Sequence, residues 1–94
     1  MPPCDQLRLN GLFMHEFSLA QGLYDQLLDL LDEHGADKII MAEVGVGRDS
    51  GIVVDSFTFG FDVLARSSEK TRDIKLVTVE DSGSDLMLLR VELA

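Results

Sequence analysis

Five leucines set the frame of this chain. Leu19, Leu23, Leu27, Leu30 and Leu31 recur at spacings of three and four between His15 and His34. That period places side chains on one stripe of an α-helix. Gln21, Asp25, Asp29, Asp32 and Glu33 fill the other side, and Gly35 is the residue type that ends a helix in the left-handed conformation. A helix with a single apolar stripe has to bury it against a second layer.

The rest of the sequence supplies that layer. Residues 38–46 read as a strand with Ile40, Ala42, Val44 and Val46 on one face. Gly47 to Gly51 form a loop. Residues 54–66 read as a second helix in which Phe57, Phe61, Leu64 and Ala65 share a side, with Asp55 favoured in its first turn by the helix dipole. Phe57, Phe59 and Phe61 read as packing residues, with Phe59 at the helix edge. Residues 74–80 and 86–93 are two further strands. In the last, Met87, Leu89, Val91 and Leu93 alternate with Arg90 and Glu92. Asp81-Ser82-Gly83-Ser84 is a turn cluster, and so short a connection implies an antiparallel hairpin. The order α-β-α-β-β predicts a two-layer α/β (α+β) sandwich: two helices on one face of a three-stranded mixed sheet.

Composition narrows the function. Eight Lys and Arg stand against seventeen Asp and Glu in 94 residues, a formal charge of −9 spread along the whole chain. Nucleic-acid binders and binders of anionic membranes need basic surfaces, so both classes are disfavoured. No apolar run approaches the ~20 residues of a membrane span. The start shows no secretion signal, and the single cysteine, Cys4, allows neither an intramolecular disulfide nor a four-cysteine zinc site within one chain. A reducing, cytoplasmic setting is the expectation. Residues 1–13, with Pro2 and Pro3 and no sustained period, read as a flexible extension or as a mis-assigned start, since a second methionine follows at Met14.

Most catalytic patterns are missing. Gly45-Val46-Gly47 lacks the later glycine of a dinucleotide loop and reads as a strand end. The acids are numerous enough that paired carboxylates read as solvated surface, and no spacing ties serine, histidine and aspartate into a triad. His34, beside Gly35, reads as a structural residue at the helix C-terminus. Cys4 reads as a free thiol, and Met41 and Met87 as strand fillers.

One local group differs. Met14, His15 and Glu16 stand at the mouth of the first helix, where the first four N–H groups lack intrahelical acceptors. If Met14 is the N-terminus, its amine, the backbone nitrogens of His15 and Glu16, and the His15 imidazole can surround one metal ion. Four nitrogens in a plane suit Ni(II) or Cu(II). A cation there opposes the helix dipole, which the Glu16 carboxylate partly offsets. Proton competition should weaken binding as pH falls toward the ordinary amine and imidazole values, ~7.7–8 and ~6.5. On residue types alone, a lone histidine at a helix start is more often a surface or capping residue, and that reading comes first.

From Met14 onward the chain resembles the hydrogenase/urease nickel-incorporation metallochaperones, the HypA/HybF family. The resemblance rests on four pieces: Met14-His15-Glu16-Phe17-Ser18-Leu19-Ala20; Gly45-Val46-Gly47 followed by Ser50-Gly51-Ile52-Val53; Phe59-Gly60-Phe61-Asp62-Val63-Leu64-Ala65; and the two last strands. It covers residues 14–94, which it marks as a HypA-like nickel-binding domain. The resemblance implies a nickel(II) site at Met14, His15 and Glu16, and a non-enzymatic role delivering nickel to the large subunit of NiFe hydrogenase. A HypB-like nickel-insertion GTPase is the implied partner. Family members insert a zinc module with two Cys-x-x-Cys pairs between the last two strands. Here Asp81-Ser82-Gly83-Ser84 takes its place, so no zinc is expected. A prolonged N-terminus would also turn the Met14 nitrogen into an ordinary amide and break the planar site.

Two readings follow. The first is a nickel metallochaperone without the zinc module. The second is a metal-free interaction module docking to a maturation GTPase or hydrogenase subunit, its open sheet edge available to a partner strand or a second copy.

Overall fold

A computed structural model describes residues 15–94. The elements are α1 (His15–Glu33), β1 (Ile39–Gly47), α2 (Val54–Ala65), β2 (Lys75–Asp81) and β3 (Leu86–Leu93). All five expected elements are present, in the expected order. Residues 1–13, read above as an extension or mis-assigned start, lie outside the described residues, as does Cys4.

The apolar stripe of α1 is the organiser. Ala20, Leu23, Tyr24, Leu27 and Leu31 are buried, with Leu19 and Leu30 packed beside them. They join Phe57, Phe61 and Ala65 of α2 and Ile39, Ala42 and Val44 of β1 in one core. Tyr24 and Phe61 meet edge to face, ring centroids 6.3 Å apart, an arrangement that adds a specific geometry to the burial. Gly35 ends α1 as its position suggested. It sits at φ 61°, with Gly35 N–H donating to Asp32 O and Ala36 N–H to Leu31 O, 3.1 Å each. That pair of bonds is the Schellman closure, which only a residue tolerant of positive φ completes without strain. His34 is exposed at the C-cap.

The sheet has the order β2-β1-β3. β1 runs parallel to β2 through α2, from Met41↔Lys75 to Gly47↔Asp81, and antiparallel to β3, from Ile39↔Leu93 to Val46↔Leu86. The sheet is therefore mixed, with both helices on one face. The antiparallel hairpin expected of β2 and β3 does not form, because β1 lies between them. A four-residue link crosses two inter-strand spacings, about 10 Å, and its reach suffices. The link is held by the end of β1: Gly47 N–H donates to Asp85 O, Arg48 N–H to Asp81 O and Asp49 N–H to Gly83 O, each at 2.8 Å.

Two strand faces also differ from expectation. Ile40 was expected inward beside Ala42, Val44 and Val46; it is 40% exposed, and Ile39 is buried instead. Met87 and Leu89 were expected on the face of Val91 and Leu93; they are about half exposed, and Leu86 and Leu88 pack on the core. The cause is common. The β1–β3 register shifts between Ile39 and Met41 and again between Glu43 and Val44. Ile40 and Leu89 are the extra residues, and each shift reverses the alternation. Phe59 proves fully outward, at 68% exposure, which corrects its reading as a packing residue.

Candidate metal centre

The residues read from the sequence as ligands are consecutive, and two of them open α1. His15 is the first residue of α1 and Glu16 lies in its first turn. Met14 lies outside the described residues, and His15 enters as a backbone position. Glu16 is therefore the one candidate ligand whose side-chain surroundings are described.

Its carboxylate reaches across to the second helix. Glu16 Oε2 accepts the backbone N–H of Val53 at 3.1 Å. Val53 is the N-cap of α2, at φ −84° and ψ 105°, and offers no side-chain cap of its own. The carboxylate thus sits beside the N-termini of two helices, where both dipoles favour negative charge. The loop that brings Val53 there turns at Ser50, whose Oγ accepts Ile52 N–H at 3.2 Å. Sequence reading named Glu16 as an offset to the dipole of α1; its bond to the start of α2 needed the fold to be seen.

His34 closes the other end of a 19-residue helix, about 28 Å away at 1.5 Å per residue. The two histidines cannot serve one ion. Among the described residues no group of three His, Cys, Asp or Glu side chains is gathered closely enough to hold a metal. Nor is any helix there long and apolar enough to cross a membrane.

A cleft of about 360 Å³ opens at the carboxyl ends of the two parallel strands, lined by Val46, Gly47, Arg48, Ile52, Val54, Thr78, Val79 and Glu80. Arg48 Nε and Glu80 Oε2 pair at its rim, 2.7 Å apart and both about two-thirds exposed, a geometry worth little in stability. Sequence reading took Gly45-Val46-Gly47 as a strand end. That is correct, but pairing of β1 with β2 is what makes the strand end a cleft wall. The lining holds no nucleophile–base pair.

The fold and this geometry define a small two-layer α/β domain with no assembled catalytic set among the described residues. Comparison with known proteins sharpens that class. The profile of the "Hydrogenase/urease nickel incorporation, metallochaperone, hypA" family matches residues 14–84. Hydrogenase maturation factor HypA of Xanthobacter autotrophicus is 30% identical over 71 residues, 76% of this chain and 62% of the relative. HypA of Chlorobaculum tepidum is 36% identical over 70 residues, 74% of this chain and 61% of the relative. The chain thus spans about half to three-fifths of the length of such curated relatives. Among solved structures, the Ni metallochaperone HypA from Helicobacter pylori superposes with a TM-score of 0.67 at 21% identity, covering 80% of this chain and 70% of that one. A second HypA solution structure gives 0.75 at 19% identity, covering 86% and 97%. At these identities the two structures speak for the fold.

The chain belongs to the hydrogenase/urease nickel-incorporation metallochaperone family. The resemblance read from the opening residues, the strand exit and loop, the second helix and the last two strands is borne out at the level of family.

Proposed function

We propose that this chain carries nickel for the maturation of a NiFe hydrogenase, as a carrier and not as a catalyst. The observation that carries the reading is the family match itself, which begins at Met14, the residue whose amine the planar site needs. Glu16, held between two helix starts, supports it. In this reading Met14 supplies the amine, His15 the imidazole and a backbone nitrogen, and Glu16 a backbone nitrogen. The Glu16 carboxylate balances the ion's charge beside the dipoles. Nickel is cargo, so release matters as much as capture, and proton competition at amine and imidazole provides a route to release.

The partners in this reading are a HypB-like nickel-insertion GTPase and the hydrogenase large subunit, met in the cytoplasm. No zinc is needed: the link at residues 82–85 occupies the place where the resemblance puts a zinc module. Residues 14–94 form the nickel domain, and residues 1–13 are removed or never translated in the loaded form. Calorimetric titration of nickel into residues 1–94 and into residues 14–94, near neutral pH, tests this. Tight one-to-one binding by 14–94, lost in 1–94, is the expected result. Absence of binding by both refutes the carrier reading.

A second reading, a metal-free docking module, draws on apolar side chains left in solvent along the two helices and at the N-cap of α2. Phe17, Val53 and Phe59 are 39%, 56% and 68% exposed. Absence of nickel binding by either form would favour it.

A further inference from the structure

Four apolar side chains gather where α1 and α2 touch, and each is more than a third exposed. The touch itself falls at Gly60, where an added Cβ would stand 3.2 Å from Phe17 Cδ1 and 3.8 Å from Phe17 Cα. Having no side chain, Gly60 lets Phe17 lie against the backbone of α2. Phe17 is still 39% exposed. Beside it on α2 stand Phe59 at 68% and Val63 at 47%, neighbours at i and i+4. Val53, at 56%, completes the group, joined to the first turn of α1 by Glu16. Single apolar residues are ordinary on a surface, but a group at one helix crossing marks an interaction site.

The chain carries its own candidate to cover that group. Residues 1–13 lead into α1 through Met14, so Phe13 is only four positions before Phe17. Residues 6–13 read Gln-Leu-Arg-Leu-Asn-Gly-Leu-Phe. That run holds four apolar side chains, one arginine and no acid, in a chain where seventeen acids stand against eight bases. Asp55 and Asp62 lie one turn to either side of Phe59, so the rim of the patch suits an occupant with a positive charge. A tethered segment needs little intrinsic affinity, because its effective concentration is on the order of millimolar.

We propose that residues 6–13 of this chain occupy the patch made by Phe17, Val53, Phe59 and Val63, through Leu12 and Phe13, with Arg8 meeting the acidic rim. The patch is then closed in the full chain and open in residues 14–94. The docking itself needs no metal. Its consequence rests on the nickel reading above: the change that frees the Met14 amine also uncovers the patch, so a partner surface opens only on the form competent to load.

Limited trypsin digestion of the full chain without metal, followed by mass spectrometry, tests it. Arg8 is the one tryptic site in residues 1–13, and cleavage there reports how often the segment leaves the patch. Phe59→Ser removes an exposed side chain far from that site, and circular dichroism confirms that the fold is kept. It should speed cleavage after Arg8 on the order of tenfold, and Phe13→Ser should do the same. The double variant should be cleaved no faster than either single one, because both remove the same contact. A parent cleaved as fast as its variants overturns the proposal, as do effects that multiply in the double variant. So does a parent of dimer mass by sedimentation equilibrium that Phe59→Ser dissociates and Phe13→Ser does not, since a second copy is then the occupant. The digestion contains no nickel, so its failure is distinct from failure of the carrier reading.

Discussion

Glu16 and Thr71 show how single polar side chains hold this small core in place. Glu16 ties the start of α1 to the start of α2 through Val53. Thr71, between α2 and β2, is fully buried. Its hydroxyl donates to Ala65 O at 2.7 Å and lies 3.4 Å from the Tyr24 hydroxyl. It thereby satisfies a carbonyl that the end of α2 would otherwise leave without a partner. Thr71→Val keeps the shape and removes the donor. It should cost about 1–3 kcal/mol, a fall of several degrees in Tm for a domain of this size, and Thr71→Ser should recover much of it. A Val variant as stable as the parent would show that the bond is dispensable. Nothing in the sequence marked Thr71, because its partners are 6 and 47 residues away. Met14, His15 and Glu16 could be proposed as a site from the sequence because they are neighbours, and a ligand set of adjacent residues is a local pattern.

At the scale of elements, α1 and α2 were legible almost to the residue, since a helix writes its buried face as a period within its own sequence. The strands were legible as strands but not as a sheet. A four-residue link normally marks a hairpin, yet here it passes over the end of β1. Gly47 allows this: a Cβ there would stand 2.7 Å from both Asp85 N and Gly83 O. Gly47→Ala therefore has to displace backbone, and should destabilise by about 1–3 kcal/mol. Urea denaturation should show a lower midpoint with an unchanged slope; an unshifted midpoint would mean that the link yields freely. The inward and outward sides of β1 and β3 were misread at Ile40, Met87 and Leu89 for a related reason. A register shift is a property of two strands together, and a period counted along one strand cannot contain it.

For the whole molecule, fold and family match meet in one two-layer domain whose last two strands are joined by a short link, at the place where the sequence resemblance implies a zinc module. The family match ends at residue 84, within that link. Zinc should be irrelevant to stability: one equivalent should leave Tm unchanged, whereas a rise of several degrees would reveal a zinc site stabilising the native state. The net charge was legible from composition and disfavoured nucleic acid and membrane as partners. The cleft at the ends of β1 and β2 was not, because it arises from parallel pairing of residues 34 apart in sequence, as Met41 with Lys75. The central claim is that nickel is held at the mouth of α1 by His15 together with the Met14 amine. Calorimetric nickel titration of residues 14–94 with and without His15→Ala tests it most directly. One equivalent should bind to the parent and none stoichiometrically to the variant, with circular dichroism unchanged. Retained one-to-one binding in the folded variant would contradict it.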